Sequence, residues 1–371
     1  MNAASRRAQP ATEQEKSTLL LPRRAGVAVV RRGLPIVLAL LVLAVPAAAH
    51  ATIYGAEVSS EFSDQAWGLM SGTQVIGSLK TLYAAGARVG RADSGWAGAE
   101  PKAPVRGRHV YNWSYDDTLI SEMAQARLRW MPDLDYAPRW AQGRRSNVVH
   151  IASGTSRATL PPADNANFGA YVTAFMRRYG PHGSFWRSNR ALPYVPVTTV
   201  EVWNEPDNRR DWGSAINLAN YARMYGVVRT AIHRVYRQAT VATGGLAWTP
   251  TSLPRMLKAF RHKPLDAVAF HPYASTPKGT LAIARGAIAV MRRYGRGRTP
   301  LLANEYGWTW RPHTWGSTRR RNVDPYQYQA LVGLSKLHLA AVMPFLWAGA
   351  SWGLNDGNYA KALAYIQRHH R

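Results

Sequence analysis

VTTVEVWNEPD, residues 197–207, decides how this chain is read. Its β-branched opening through Val202 predicts a strand. Asn204-Glu205-Pro206 then halts it with two polar side chains and a residue that cannot donate to a ladder. A hundred residues on, PLLANEY (300–306) repeats the arrangement with Asn304-Glu305. After residue 51 the chain has only seven glutamates: Glu57, Glu61, Glu100, Glu122, Glu201, Glu205 and Glu305. Two of the seven therefore close separate strands in the same dipeptide.

Outward from these two segments the pattern alternates. TIYGAEV (52–58), ARVGRAD (87–93), LRWMPDLD (128–135), ATVATGG (239–245), LDAVAFHPY (265–273) and AVMPFLWA (341–348) read as six further strands. The stretches 168–180, 218–238, 280–295 and 325–340 space their apolar residues at i, i+3, i+4 and i+7, as amphipathic helices do. Eight strands alternating with helices predict a single (β/α)8 barrel over residues 52–371. An open nucleotide-binding sheet would need a glycine-rich turn after its first strand; VSSEFSDQ (58–65) has no glycine.

In such a barrel the chemistry sits at the C-terminal ends of the strands, where Glu205 and Glu305 fall. A lone glutamate there would as readily cap the next helix or pair with an arginine. A matched pair suits glycoside hydrolysis, in which one carboxyl protonates the leaving oxygen and another attacks the anomeric carbon or activates water.

EVWNEPD together with NEYGW (304–308) resembles clan A of the glycoside hydrolases, most closely family 39 and its relatives. The resemblance continues through GARVGRADSGWAGAEP (86–101), residues 111–141, residues 161–186, DAVAFHPY (266–273) and PFLWA (344–348). It implies a retaining mechanism with Glu205 as acid/base and Glu305 as nucleophile, and an arginine of the clan at Arg91. Asn304 departs from the small or hydroxyl residue expected before the nucleophile.

Each supporting residue has a physical task. Arg91 can hold Glu305 ionised, Tyr273 can donate to it, and Asn204 can bond the sugar 2-hydroxyl. His271 lines the same cavity or is a core histidine. Glu201, on the same strand face but deeper, is expected to be a buried partner of an arginine. Trp347 is expected beneath the sugar, with Trp96, Trp140, Trp308 and Trp310 as candidate platforms for pyranose rings. The loops 140–162 and 308–322 are expected to wall the cleft.

Composition narrows the rest. With no cysteine, disulfides, thiolate metal sites and a cysteine nucleophile are excluded. No HExxH, phosphate loop or other metal or cofactor motif occurs, so neither metal nor cofactor is expected. The formal charge is +26, carried by 39 arginines against 8 lysines. That field favours anionic partners, and an acidic polysaccharide is one candidate substrate class. No basic block interleaves with aromatics, so nucleic acid is not expected. GASWG (349–353) matches the nucleophile-elbow pattern, but the 18 residues left after it cannot supply the rest of an α/β-hydrolase.

Residues 1–51 read as a leader: Arg23, Arg24, Arg31 and Arg32, an apolar run from Leu34 to Val45, then PAAAHAT. The expectation is a secreted or cell-surface protein, with an uncleaved anchor as its only membrane link. Two other functions fit the same barrel: a non-catalytic glycan-binding protein, and a transglycosylase acting on cell-envelope polysaccharide.

Overall fold

The computed structural model describes residues 51–142, 148–150, 156–158, 160–213, 216–312, 316–347, 352, 354 and 357–369. The expected leader therefore lies outside the described residues except for Ala51, as does most of the GASWG stretch. No helix among the described residues is long and apolar enough to cross a membrane.

Eight parallel strands form the barrel: β1 (Ile53–Glu57), β2 (Val89–Gly95), β3 (Arg129–Asp135), β4 (Thr199–Val202), β5 (Thr240–Thr243), β6 (Val268–Phe270), β7 (Leu301–Ala303) and β8 (Ala341–Val342). Each pairs with its neighbour in chain order, and β8 pairs with β1. Between β5 and β6 the closure is thinner, made by the bridges Ala242↔Ala267 and Leu246↔Phe270. Every expected strand is present, though most are shorter at both ends than the sequence suggests. A two-stranded antiparallel hairpin, Val148–His150 with Ser156–Ala158, interrupts the long loop between β3 and β4.

The strand period of two layers the interior. At the bottom, Val89, Met131, Ala242, Ala267, Ala269, Leu302, Ala341 and Met343 fill the bore with apolar side chains. One step up, the same faces carry Glu57, Arg91, Asp133 and Glu201, all buried. The site lies above this charged layer.

Outside the strands the helices bury one stripe each. In the helix Asn165–Tyr179 the buried face is Phe168, Tyr171, Val172, Phe175, Met176 and Tyr179. Asp164 caps it, its carboxylate accepting from the Ala166 amide at 2.8 Å. Arg177 and Arg178 in its last turn complement the helix dipole. Phe175 packs edge-on against Trp130 of β3 with ring centroids 5.3 Å apart. Truncating such a side chain to alanine costs about 3–5 kcal/mol.

Candidate active site

Glu205 and Glu305 stand just beyond the strands the sequence assigned them to, past Val202 of β4 and Ala303 of β7. The chain reaches Glu205 through two left-handed residues, Trp203 at φ 70° and Glu205 itself at φ 40°. Each such conformation costs about 1–3 kcal/mol for a non-glycine residue. The turn is held by the Trp203 indole, which donates to the Asp211 carbonyl at 2.9 Å, and by the Asn208 amide donating to the Glu205 carbonyl at 2.9 Å. Strand alternation ends at this turn, and the Glu205 carboxylate faces the cleft.

Arg91 is the hub beneath both carboxylates. Its guanidinium donates to Glu201 (2.6 Å), Glu57 (2.6 Å), Glu305 (2.8 Å), Asp133 (2.9 Å) and the Asn204 side-chain oxygen (3.1 Å). Four carboxylates around one buried guanidinium leave excess negative charge, so burial raises the Glu57 carboxyl to about 7 despite Arg91. Glu201 is the buried arginine partner expected of it. Asn304 also serves Glu201: its side-chain amide donates to both carboxylate oxygens at 2.8 Å. Alternation along β7 turns Leu302 and Asn304 inward, so Asn304 lies in the charged layer below the cleft.

His271 bridges the two glutamates. Its Nδ1 lies 2.9 Å from Glu205 Oε1, and its Nε2 lies 3.6 Å from Glu305 Oε1. Burial disfavours the imidazolium, but the charge of Glu305 and the hydrogen bond to Glu205 outweigh it and push His271 up to about 9. Gly245 makes room for the ring: a Cβ there would meet His271 Nε2 at 2.0 Å. Tyr273, two residues on and on the same face, donates to Glu305 Oε2 at 2.9 Å.

Single carboxylate oxygens of Glu205 and Glu305 lie within 4.8 Å of one another and of a His271 nitrogen. Burial raises Glu305 above the ordinary carboxylate value against the opposing pull of His271 and Arg91. Burial pushes Glu205 the same way, but the bond to His271 and its charge win, and Glu205 falls below its ordinary value. Asp93, Asp133 and Asp135 form a second acidic group within the same 4.8 Å spacing. The Arg91 cation touches Glu305 and Asp133, one member of each group, and so opposes a metal ion at either.

The cleft above has a volume of about 530 Å³. Arg91, Asn204, Glu205, Tyr273 and Glu305 line it, with Asn208, Arg210, Asp211, Trp248, Phe345 and Trp352. The expected tryptophans lie elsewhere. Trp347 is 2% exposed; its indole donates to Ser78 Oγ at 3.1 Å and its ring packs on Tyr359. The strand ends at Val342, so alternation no longer sets its direction, and the indole finds its partner among the outer helices. Phe345 lines the cleft instead, edge-on to Trp352 with centroids 5.2 Å apart. Trp308 and Trp96 are wholly buried, against Tyr326 and Phe168 respectively. Trp140 is half-buried, donating to the Glu100 carbonyl at 2.9 Å. Trp310 is exposed, with Arg320 over its ring, and does not line the cleft. Much of loop 140–162, and residues 313–315 of the other expected wall, lie outside the described residues.

Sequence reasoning missed Trp248, 46% exposed in the cleft, and Asp211. It also missed Asn208, whose amide donates to Glu205 Oε2 at 2.6 Å. Asn208 carried a usable signal, since an asparagine followed by Arg209-Arg210-Asp211-Trp212 reads as a helix cap. Trp248 and Asp211 carried none.

The chain is similar over most of its length to family 39 and related clan A glycoside hydrolases of known structure. A family 39 enzyme from Xanthomonas axonopodis pv. citri aligns with TM-score 0.63 at 16% identity, covering 86% of this chain and 66% of that one. A family 39 β-xylosidase from Caulobacter crescentus aligns at 0.61 and 17%, covering 86% and 71%. An exo-β-1,4-mannosidase from Opitutaceae bacterium strain TAV5 aligns at 0.57 and 15%, covering 85% and 60%. At these identities the likeness is one of fold. The chain spans 66% of that Xanthomonas enzyme's length, and 60% and 55% of two further glycosidases of known structure. No protein-family model and no curated protein matches the sequence.

Proposed function

We propose that the chain is a retaining glycoside hydrolase acting on β-linked sugars of an oligosaccharide or polysaccharide. The observation that carries this reading is the approach of the Glu205 and Glu305 carboxylates to within 4.8 Å at the barrel mouth. Retaining enzymes hold their two carboxyl groups about 5–5.5 Å apart, whereas inverting ones leave about 6.5–9.5 Å for a water. The glycosidase fold neighbours support a carbohydrate substrate.

The partners of each carboxylate support the division of labour. Glu305 receives hydrogen bonds from Arg91 and Tyr273, both of which favour the anion, as a nucleophile requires. Its attack on the anomeric carbon forms a glycosyl-enzyme ester as the glycosidic C–O bond breaks. Glu205 gives the leaving oxygen a proton, then takes one from the water that hydrolyses the ester, freeing Glu305. The hydrogen bond from Arg91 to Asn204 supports assigning Asn204 to the sugar 2-hydroxyl. The resting titrations of the two glutamates run against this order, because the His271 imidazolium lies nearer Glu205. A sugar entering between them changes both environments, so we assign roles from the donors.

Arg210 on the cleft wall favours an acidic sugar, and Trp248 offers a platform beyond the cleaved bond. The leader-like residues 1–51 support action outside the cytoplasm; an intact N-terminus on secreted or envelope-bound material would identify an anchor instead of a cleaved signal.

The test is reducing-end release from neutral and acidic β-glycans, with Glu205→Gln and Glu305→Gln alongside. The expected result is cleavage with retention at the anomeric carbon. Inversion, or activity surviving in Glu305→Gln, would overturn the mechanism. Glycan binding without cleavage, equal in all three proteins, would favour a carbohydrate-binding barrel.

A further inference from the structure

The cleft lies where the barrel strands finish; a second, basic pocket of about 600 Å³ lies where they start. Three arginines line it: Arg88 just before β2, Arg127 just before β3 and Arg129 as the first residue of β3. Residues 191–195, on the approach to β4, form the opposite wall, and no carboxylate among the described residues lines the pocket. Strand register brings the cations together. The Arg129 amide donates to the Arg88 carbonyl at 3.0 Å, so the two side chains start from adjacent strands. Arg127 sits in a turn at φ 61°, its amide tied to the Ala124 carbonyl at 2.9 Å. The Arg88 guanidinium is held in place. Its Cζ lies 4.5 Å from the Tyr83 ring centroid, and its Nη1 donates to the carbonyls of Ala87 at 2.6 Å and Tyr83 at 3.2 Å. The side chains of Arg127 and Arg129 are exposed and make no hydrogen bond or ion pair among the described residues. Three like charges around one hollow repel, and an anion between them relieves that repulsion.

The surroundings of the pocket select the kind of anion. Arg129 also lines a neighbouring apolar hollow at the same end, with Ile53, Trp130, Met131 and Leu302. Ile53 is 40% exposed there, and Tyr194, in the loop that walls the basic pocket, is 54% exposed. Guanidiniums beside exposed aliphatic and aromatic side chains match the interface of a bilayer, where phosphates meet acyl chains. Ala51 lines the same hollow, so the chain before it joins the barrel at this end.

We infer that the strand-start end of the barrel docks on an anionic membrane, with lipid phosphate groups held by Arg88, Arg127 and Arg129. A planar guanidinium pairs with two phosphate oxygens at once. Ile53 and Tyr194 enter the headgroup layer beside them. The cleft opens at the opposite end of the barrel and stays free for a polymer. The contact requires no catalysis, so it stands independently of the glycosidase reading.

Two measurements on the full chain test this. The first is sedimentation with vesicles of phosphatidylcholine, alone or with phosphatidylglycerol, at low and high salt. Arg127→Ala/Arg129→Ala removes two pocket cations; Arg285→Ala/Arg292→Ala removes the same charge from exposed positions of the helix Pro277–Arg293. Residues 1–51 are common to all three proteins and cancel from their ratios. An arginine near an anionic surface is worth roughly fivefold in partitioning, so the pocket variant should lose about twentyfold on anionic vesicles at low salt. It should lose nothing on phosphatidylcholine, and high salt should abolish the difference. Equal losses in both variants would mean that net charge alone acts, and would overturn the site. The second measurement is labelling of arginines by phenylglyoxal on the two kinds of vesicle, read by mass spectrometry. Anionic vesicles should slow labelling at Arg127 and Arg129 but not at Arg285. Unchanged labelling at the pocket overturns the inference even where residues 1–51 carry the whole chain to the vesicle. Inorganic phosphate is the last probe. A rise in melting temperature that the pocket variant loses, without preference for anionic vesicles, would make this a small-anion site and overturn membrane docking.

Discussion

Asn204-Glu205 and Asn304-Glu305 are the same two residues at the ends of two strands of one barrel, yet the structure uses them differently. Asn304 points down: its amide serves the buried Glu201, and its partner Glu305 emerges above the Arg91 hub. Asn204 accepts from Arg91 at the floor of the cleft, and Glu205 follows through two left-handed residues. The second pair is thus half structural and half chemical, while in the first both side chains reach the cleft. A dipeptide carries no direction of its own; the backbone just before it decides which residue faces the barrel and which the substrate.

The largest test of this contrast is at the glutamates. Glu305→Gln should lose at least about a thousandfold in kcat/KM on every substrate. Glu205→Gln should lose as much only where the leaving group needs a proton. Equal behaviour on activated and unactivated substrates would erase the distinction.

The asparagines should separate stability from activity. On the proposed reading, in which Asn204 bonds the sugar 2-hydroxyl, Asn204→Ala should lose roughly a hundredfold in kcat with little change in melting temperature. Asn304→Ala strips Glu201 of two charge-assisted hydrogen bonds and should cost about 2–4 kcal/mol of stability, while the folded fraction keeps most of its activity. Chemical denaturation beside initial rates would reveal a reversal of that pattern.

Gly245→Ala probes the bridge between the two pairs. The added methyl cannot coexist with the His271 ring, so the imidazole must move, and a displacement of about an ångström can cost about a hundredfold in rate. Unchanged kinetics would mean that His271 does not link the glutamates.

The smallest effect is one of pH. His271 holds its proton up to about 9, above the ordinary histidine value near 6.5. The folded state thus binds that proton more tightly than the unfolded chain does. The stabilisation is fully present below about pH 6.5 and is lost as pH rises through about 9. The stability difference between the parent and His271→Gln should therefore shrink across that window. A difference that grew with pH would place a neutral imidazole between the carboxylates.

Within the strands, direction was legible because the side-chain period of two tells which residues share a face. Glu201 on β4 was placed in the interior by its strand face and Arg91 on β2 by the family resemblance; alternation from Ala267 and Ala269 carries on to His271 and Tyr273. Beyond the strand ends that rule lapses. Trp347 was expected beneath the sugar because it follows the last strand, but five residues past Val342 its indole is bonded to Ser78 on an outer helix. Trp308 and Trp96 similarly joined the packing of the helices. The residues that do line the cleft, Phe345, Trp352 and Trp248, sit on loops, where no periodicity reports direction.

By itself, then, the sequence determined the eight alternating units, the closed barrel and the two glutamates at its mouth. Local propensity and a period of two or 3.6 residues encode these, and both are written in neighbouring positions. Tertiary structure alone decided the four carboxylates around Arg91 and the placing of His271 between Glu205 and Glu305. Such interactions depend on burial and join partners 34 to 214 residues apart along the chain. No stretch of chain contains both halves of those interactions, so they exist only once the barrel has closed.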